Sequence, residues 1–432
     1  MRISVRSPDA RRARSLQDAL ATGGIEAVAI VGPMTARTQL VEDIAILDAS
    51  PAAFRWAEGE ASRLARVTGR PGAIVAASPA ADPPPSEANI FDGWIQIDAP
   101  EGVIERELVT IRRRAAAREE LMLRLKTARA LGVATGPLER SGSWRALYIG
   151  EPSPFYLAQE RALAAAGGRL EAAFSSFMGF DYLHEDRFDA VTLNATNDAT
   201  TALALCGALR RNARLHHLPT AMIVRRGDET TVVGAVDRGA SLIIHADQAP
   251  EPTIRWLFEK IRRGRRHARV EAGLAAVGRS QSSPSGLFAE KFFDNHIARL
   301  SDAAHINSRP LTIVALRMTL APGARMPTEA AWGRNLNQIS ELAGRLVRGA
   351  DTATVMDGNV IVVALPDANL QEGRRTAERV SGVVECTSFA SGEGDAGPIV
   401  LEHSVVELVA GESGAGLKAR ALEPFHPRGA LA

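Results

Sequence analysis

Over the first 130 positions, short all-apolar runs alternate with longer stretches in which apolar residues recur every three or four places. Ile3–Val5, Ala27–Val31, Ile44–Leu47 (closed by Asp48), Ala73–Ala77 and Trp94–Ile97 read as strands. Asp9–Thr22, stopped by Gly23-Gly24, and Ala57–Thr68 read as helices between them. Such alternation predicts a parallel, doubly wound sheet. A helix over 101–131 follows, with Val103, Ile104, Leu108, Ile111, Ala115, Leu121, Met122 and Leu125 at apolar spacing. It is longer than one small domain requires. It packs on its own sheet and leads onward, or it forms a dimer seam.

After a polar, glycine-containing linker at 136–144 the alternation restarts. Ala146–Ile149, Phe188–Leu193, Thr220–Val224 and Leu242–Ile244 read as strands. Ala158–Ala166, Ala199–Arg210 and Pro252–Arg266 read as helices. The layout repeats that of the first region, which suggests a duplicated whole domain. The basic run Arg262-Arg263-Gly264-Arg265-Arg266-His267 fits a helix end and a solvated face better than a phosphate patch. Gln281-Ser282-Ser283-Pro284-Ser285 marks a flexible boundary.

The third region has a different pattern. Helices are expected at Ala289–Leu300, Leu336–Val347, Leu370–Val380 and near Leu417, and strands at Leu311–Met318, near Ile399 and near Val405. Ala353–Val355 and Val360–Leu365, joined through Asp357-Gly358-Asn359, read as a hairpin. Three domains follow, at 1–135, 143–270 and 280–425.

Composition narrows the function. Hydrophobic residues make up 46% and charged residues 23%, an ordinary globular balance. Fifty-one basic and 50 acidic residues leave a net charge of +1, against a dedicated DNA binder. All but four basic residues are Arg, suited to planar contacts with phosphate and guanine, although GC-rich coding alone accounts for such an excess. Cys206 and Cys386 stand far apart, so neither a disulfide framework nor a zinc site is expected, and lone thiols fit a reducing cytoplasm. No signal core and no membrane-spanning run is present in the sequence.

The third region resembles the GGDEF domain of diguanylate cyclases. Ser285-Gly286-Leu287 followed by Phe293, the run from Arg345 through Pro366-Asp367, and Ala377-Glu378-Arg379 fall in that family's order. The two preceding regions resemble receiver domains, on their alternation and on the strand end Asp43-Ile44-Ala45-Ile46-Leu47-Asp48. Receiver, receiver, GGDEF is the layout of the PopA/PleD-type response regulator family. The implied fold class is α/β: two CheY-like doubly wound receiver domains, then an α+β nucleotide-cyclase-like GGDEF domain.

The resemblance also exposes what this chain lacks. The hairpin motif is here Asp357-Gly358-Asn359-Val360-Ile361, and Val360 carries no oxygen to bind metal or activate a hydroxyl. The family's paired aspartates fall on Arg317 and Thr319, and the guanine-reading positions also differ. Asp357 is read as a turn residue rather than a surrogate ligand. In the first receiver-like region Asp48 is the candidate phosphoacceptor, but Arg6-Ser7 replaces the magnesium-binding acidic pair and Ala99-Pro100 replaces Lys-Pro. In the second, Asn194 takes the acceptor position and the Lys position falls near Ala246.

A product-binding motif of the family remains. Arg348-Gly349-Ala350-Asp351 matches its Arg-x-x-Asp motif, which binds cyclic-di-GMP, and Arg379 matches a second arginine of that site. Arg can pair with guanine O6 and N7 and stack on a base; Asp can accept from guanine N1 and the amino group. Arg345 and Arg375 are nearby candidates without a family match. The resemblance implies a non-enzymatic cyclic-di-GMP effector, with no cofactor or metal, holding the ligand as a stacked pair and acting as a cytoplasmic homodimer without DNA or membrane span. By analogy its partners are a protease adaptor and a ClpXP substrate at a cell pole. The alternatives are a weakly active diguanylate cyclase, a nucleotide-free scaffold, and a regulator controlled by phosphorylation at Asp48.

Overall fold

Ile44-Ala45-Ile46-Leu47-Asp48 leaves no position exposed, as a parallel strand covered on both faces requires. It is β3 of a sheet whose other strands are β1 (Ile3–Ser7), β2 (Val28–Val31), β4 (Ala73–Ser78) and β5 (Gly93–Gln96). In this computed structural model the described residues are 1–32, 42–85, 90–100, 102–133, 142–325, 327–356, 358–387 and 399–425. The strand order is β2-β1-β3-β4-β5, all parallel. Helices α1 (Ala10–Thr22), α2 (Phe54–Leu64) and α3 (Val103–Ala130) belong to this region. The Asp9 side chain caps α1, accepting from Arg11 N and Arg12 N.

The second sheet has the same topology: β6 (Arg145–Ile149), β7 (Arg169–Ala173), β8 (Ala190–Asn194), β9 (Thr220–Val224) and β10 (Leu242–His245), in the order β10-β9-β8-β6-β7. Counted within each sheet, both orders are 2-1-3-4-5, the doubly wound arrangement in which ligands and reactive groups gather at the carboxyl ends of the strands. The intervening helices are α4 (Pro154–Ala165), α5 (Ser176–Glu185), α6 (Ala199–Arg211), α7 (Glu229–Asp237) and α8 (Pro250–Ser280). The expected repeat of whole α/β layouts is therefore present.

Three elements of this sheet are additional to the expected pattern. β7 is an edge strand reading Arg-Leu-Glu-Ala-Ala, too polar to register as an apolar run. α5 and α7 are short and begin at the side-chain caps Ser175 and Asp228. One expectation is corrected. The basic run 262–267 is not a helix end, because α8 continues to Ser280. Nor is it a purely solvated face. Arg263 is buried and paired with Glu107, and Arg265 meets Asp189 at 2.7 Å. Carboxylate partners, not the helix dipole, hold these cations.

The chain divides into two units: Met1–Ala115 with Glu139–Arg269, and Ala116–Leu138 with Val270–Ala432. The first unit contains both parallel sheets. Its main core joins Leu47, Ala76 and Trp94 to Tyr148, Ala190 and Ile223 through Trp256, Leu257 and Ile261 of α8. Trp256 buries its ring there and donates its indole N–H to Ala80 O at 3.0 Å.

The second unit is built on an antiparallel sheet, β12-β13-β11-β14. Its strands are β11 (Leu311–Leu320), β12 (Thr352–Met356), β13 (Val360–Pro366) and β14 (Ile399–Glu407). The strands expected near Ile399 and Val405 are one continuous strand, paired along β11 from Leu320↔Ile399 to Thr312↔Glu407. Helices α9 (Glu290–Asn307), α10 (Glu329–Leu346), α11 (Leu370–Glu385) and α12 (Gly414–Leu422) surround it. α11 opens with a reciprocal capping box between Asn369 and Glu372. Leu316, Val363, Ile339, Ala377 and Val380 fill the core on one face of the sheet, and Ile313, Val362, Ile297, Leu300 and Leu417 that on the other. The fold class is α/β, with an α+β domain after two doubly wound sheets.

Candidate functional site

The Arg-x-x-Asp segment is the turn between α10 and β12. α10 stops at Leu346, and Val347 takes an extended conformation. Arg348 O then accepts from Asp351 N at 2.8 Å, and the Asp351 carboxylate accepts from Arg348 N at 2.7 Å. The turn closes on itself, so the Arg348 side chain points outward, half exposed at 50%, while that of Asp351 is only 2% exposed. Arg348 Nε lies 3.2 Å from Asp351 Oδ1. Burial pushes the Asp351 carboxyl above the ordinary carboxylate range; the Arg348 charge and hydrogen bonds oppose that, and nearby Glu120 reinforces it.

Arg379, exposed on α11, donates from Nη2 to Leu346 O at 3.0 Å. The structure thus brings Arg348 and Arg379 to the same helix end. Asp351 is adjacent but faces inward. Arg345 is paired with Glu341 at 2.5 Å on the exposed side of α10, and Arg375 is exposed on α11. Two outward guanidinium groups can donate in-plane pairs to guanine edges or phosphates and can stack on bases.

Residues that the sequence reading did not single out hold this turn from behind. Arg124 of α3 donates from Nη2 to Asp351 O at 2.8 Å and to Thr352 Oγ1 at 3.1 Å. Its Nε donates to Glu120 Oε1 at 2.6 Å, and His296 Nε2 of α9 lies 2.8 Å from the same oxygen. Burial works to raise the Glu120 carboxyl, yet the His296 and Arg124 charges outweigh it and hold the group at about 2. The only sequence signal was a Glu and an Arg four apart on a long helix, where a surface pair is the ordinary reading.

The positions that the family resemblance would give to catalysis are Arg317, Thr319 and the hairpin at 357–361. On β11, Arg317 stands opposite Val360 on one neighbour and Glu402 on the other. It is ion-paired with Glu402, donates to Phe425 O at 3.0 Å, and lies over the Phe425 ring at 5.0 Å. Thr319 donates to Val400 O at 3.3 Å, and Asn359 to Met318 O at 3.4 Å. Val360 is buried. Asp357 lies outside the described residues. A guanidinium paired with a carboxylate thus occupies this part of β11.

Asp48 lies at the carboxyl end of β3, 4% exposed. Ser7 Oγ donates to one of its oxygens at 2.9 Å; Ser50 Oγ donates to the other at 2.6 Å and Ser50 N at 3.1 Å. Arg12 approaches to 3.7 Å. Arg6 is fully buried and paired with Glu42 and Glu60. Asn194 holds the equivalent strand end in the second sheet, donating to Glu151 O and accepting from Thr196. Both strand ends are closed hydrogen-bonded clusters.

No family model and no curated protein matches the sequence. Solved structures are similar to parts of it. The GGDEF domain of DgcB from Caulobacter crescentus, in complex with c-di-GMP, is 16% identical, covers 33% of this chain and 82% of its own, and has a TM-score of 0.28. A response regulator from Thermotoga maritima is 17% identical, covers 28% of this chain and 99% of its own, and has a TM-score of 0.26. The diguanylate cyclase SiaD of Pseudomonas aeruginosa, in complex with its activator SiaC, is 20% identical, covers 39% of this chain and 66% of its own, and has a TM-score of 0.30. No helix among the described residues is long and apolar enough to cross a membrane.

Proposed function

We propose that this protein is a non-catalytic cyclic-di-GMP effector of the PopA/PleD-type response regulator kind. Arg348 and Arg379 hold the nucleotide, with Asp351 shaping the turn between them. Occupancy of that turn is read by a protein partner. The observation that carries the reading is a contrast within one domain. Arg348 and Arg379 meet at the end of α10, their guanidinium groups outward beside Asp351 and Leu346 O respectively. Arg317, by contrast, is tied to Glu402 at the position where metal would sit. By family analogy the protein acts as a homodimer, and its partners are a protease adaptor and a ClpXP substrate, met at a cell pole.

Calorimetric titration of the full chain with cyclic-di-GMP tests this, beside Arg348→Ala and a GTP control. The parent binds at micromolar affinity or tighter. Arg348→Ala weakens binding at least about 30-fold, since it removes charge-assisted bonds. GTP gives no turnover. A parent that takes up no cyclic-di-GMP would leave a nucleotide-free scaffold as the better account.

A further inference from the structure

Two buried carboxylates pack at the Arg348–Asp351 turn: Asp351 itself, whose Oδ1 lies 3.2 Å from Arg348 Nε, and Glu120, whose Oε2 accepts no hydrogen bond. A buried acceptor left in this way carries a desolvation cost, so these carboxylates call for an explanation other than stability. Between them stands Arg124, 3% exposed, with its guanidinium also 5.0 Å from the Phe288 ring. Phe288 is itself tied to β12, donating its N–H to Ala353 O at 2.9 Å and accepting from Thr354 Oγ1 at 2.8 Å. Arg124 therefore fixes the carbonyl of Asp351, the hydroxyl of Thr352 and the ring that backs the strand. Nothing on the turn itself does this. The Arg348–Asp351 bonds close the turn but do not anchor it to the domain.

We infer that Arg124 and Glu120 are positioning residues for the nucleotide site, and that the second half of α3 and the Arg348–Asp351 turn form one thermodynamically linked element. This rests on the cyclic-di-GMP reading of the turn. Arg124 never touches the ligand. It acts by holding the backbone from which Arg348 projects, so that this guanidinium does not have to be ordered at the moment of binding. Linkage is reciprocal. Nucleotide at the turn slows amide exchange in α3 at positions 120–128, and loosening α3 weakens nucleotide binding.

The test uses the full chain and three variants. Arg124→Ala leaves the Glu120 charge buried beside His296 and risks misfolding. The double variant Glu120→Gln/Arg124→Met removes both charges at nearly constant volume and keeps the domain folded. Leu417→Ala, on α12 where it packs against α9 and the sheet, is a control that lowers stability away from the turn. The double variant is expected to bind cyclic-di-GMP roughly 10-fold more weakly than the parent, as loss of a charged hydrogen bond implies. Leu417→Ala, still folded, keeps the parent's affinity. Added guanidinium restores binding to Arg124→Ala, which a general loss of stability would not allow. Double-variant affinity equal to the parent's overturns the inference. If the parent binds no cyclic-di-GMP, exchange at amides 348–352 decides the matter without ligand. Faster exchange in the double variant than in Leu417→Ala leaves the positioning role standing while the nucleotide reading falls. Equal exchange removes both.

Discussion

Arg317 shows how one side chain redirects a strand end. A guanidinium there needs an anion, and the Arg317↔Glu402 register supplies one across the strand. Restoring a carboxylate at 317 would place it opposite Glu402, giving like charges rather than a metal site, and Val360 would still contribute no oxygen. Arg317→Asp is therefore expected to yield no cyclic-di-GMP from GTP with magnesium or manganese, like the parent. Chromatography of overnight reactions reads this directly, and product from either protein would revive the cyclase alternative. At this scale Arg348, Asp351 and Arg379 were singled out by a family resemblance, and the structure brings Arg348 and Arg379 to one helix end. The support behind them was not legible in the sequence. Arg124 and Asp351 are 227 positions apart, so only folding makes them neighbours.

At the scale of elements, apolar runs announced themselves and polar ones did not. β3, β8 and β9 are buried along their whole length and were legible as strands. β7 was not, because an edge strand needs only part of its length covered. The end of α8 was missed for an electrostatic reason: its cations looked like a terminus but are consumed by partners. Glu107 of α3 binds Lys260 at 3.0 Å and also pairs with Arg263, both on α8. Burial works to raise the Glu107 carboxyl, and the Arg263 and Lys260 charges overcome it, holding the group at about 2 against an ordinary 4.5. A carboxyl depressed on folding contributes stability that is complete above its unfolded value and is lost as pH falls through the folded one. Here that contribution is on the order of 3 kcal/mol, fading between about pH 4.5 and 2. Glu259, pushed up by burial despite its Arg263, Arg266 and Arg262 neighbours, works in the opposite sense, in a window above the ordinary carboxylate value and outside that of Glu107. Glu107→Gln should lower stability by about 3 kcal/mol at pH 6, because two cations stay buried without their anion. The deficit should shrink toward pH 2.5. Urea unfolding across that range checks it; a deficit independent of pH would mean that Glu107 acts through packing rather than charge.

For the whole molecule, a ligand that binds one unit must stabilise that unit by its own binding free energy. Cyclic-di-GMP held as proposed by Arg348 and Arg379 would engage only the folded second unit, which contains both residues. At a free concentration of 100 times Kd the gain is about 2.7 kcal/mol, which slows globally controlled amide exchange about 100-fold. The slowest amides of β11 and β13 should therefore gain that protection. The buried strands β3, β8 and β9 lie in the first unit, which contains neither arginine. If the two units open independently, those strands gain nothing, and the proposed partner would have to read the nucleotide on the second unit. If β3 and β8 gain equally, the chain opens as one cooperative body, and the doubly wound sheets respond to the nucleotide as well. Hydrogen exchange with and without cyclic-di-GMP separates these cases in one experiment. Independent opening is the expected result, because each unit has its own buried core and the buried ion pairs Glu107–Lys260 and Glu120–Arg124 each close within a single unit.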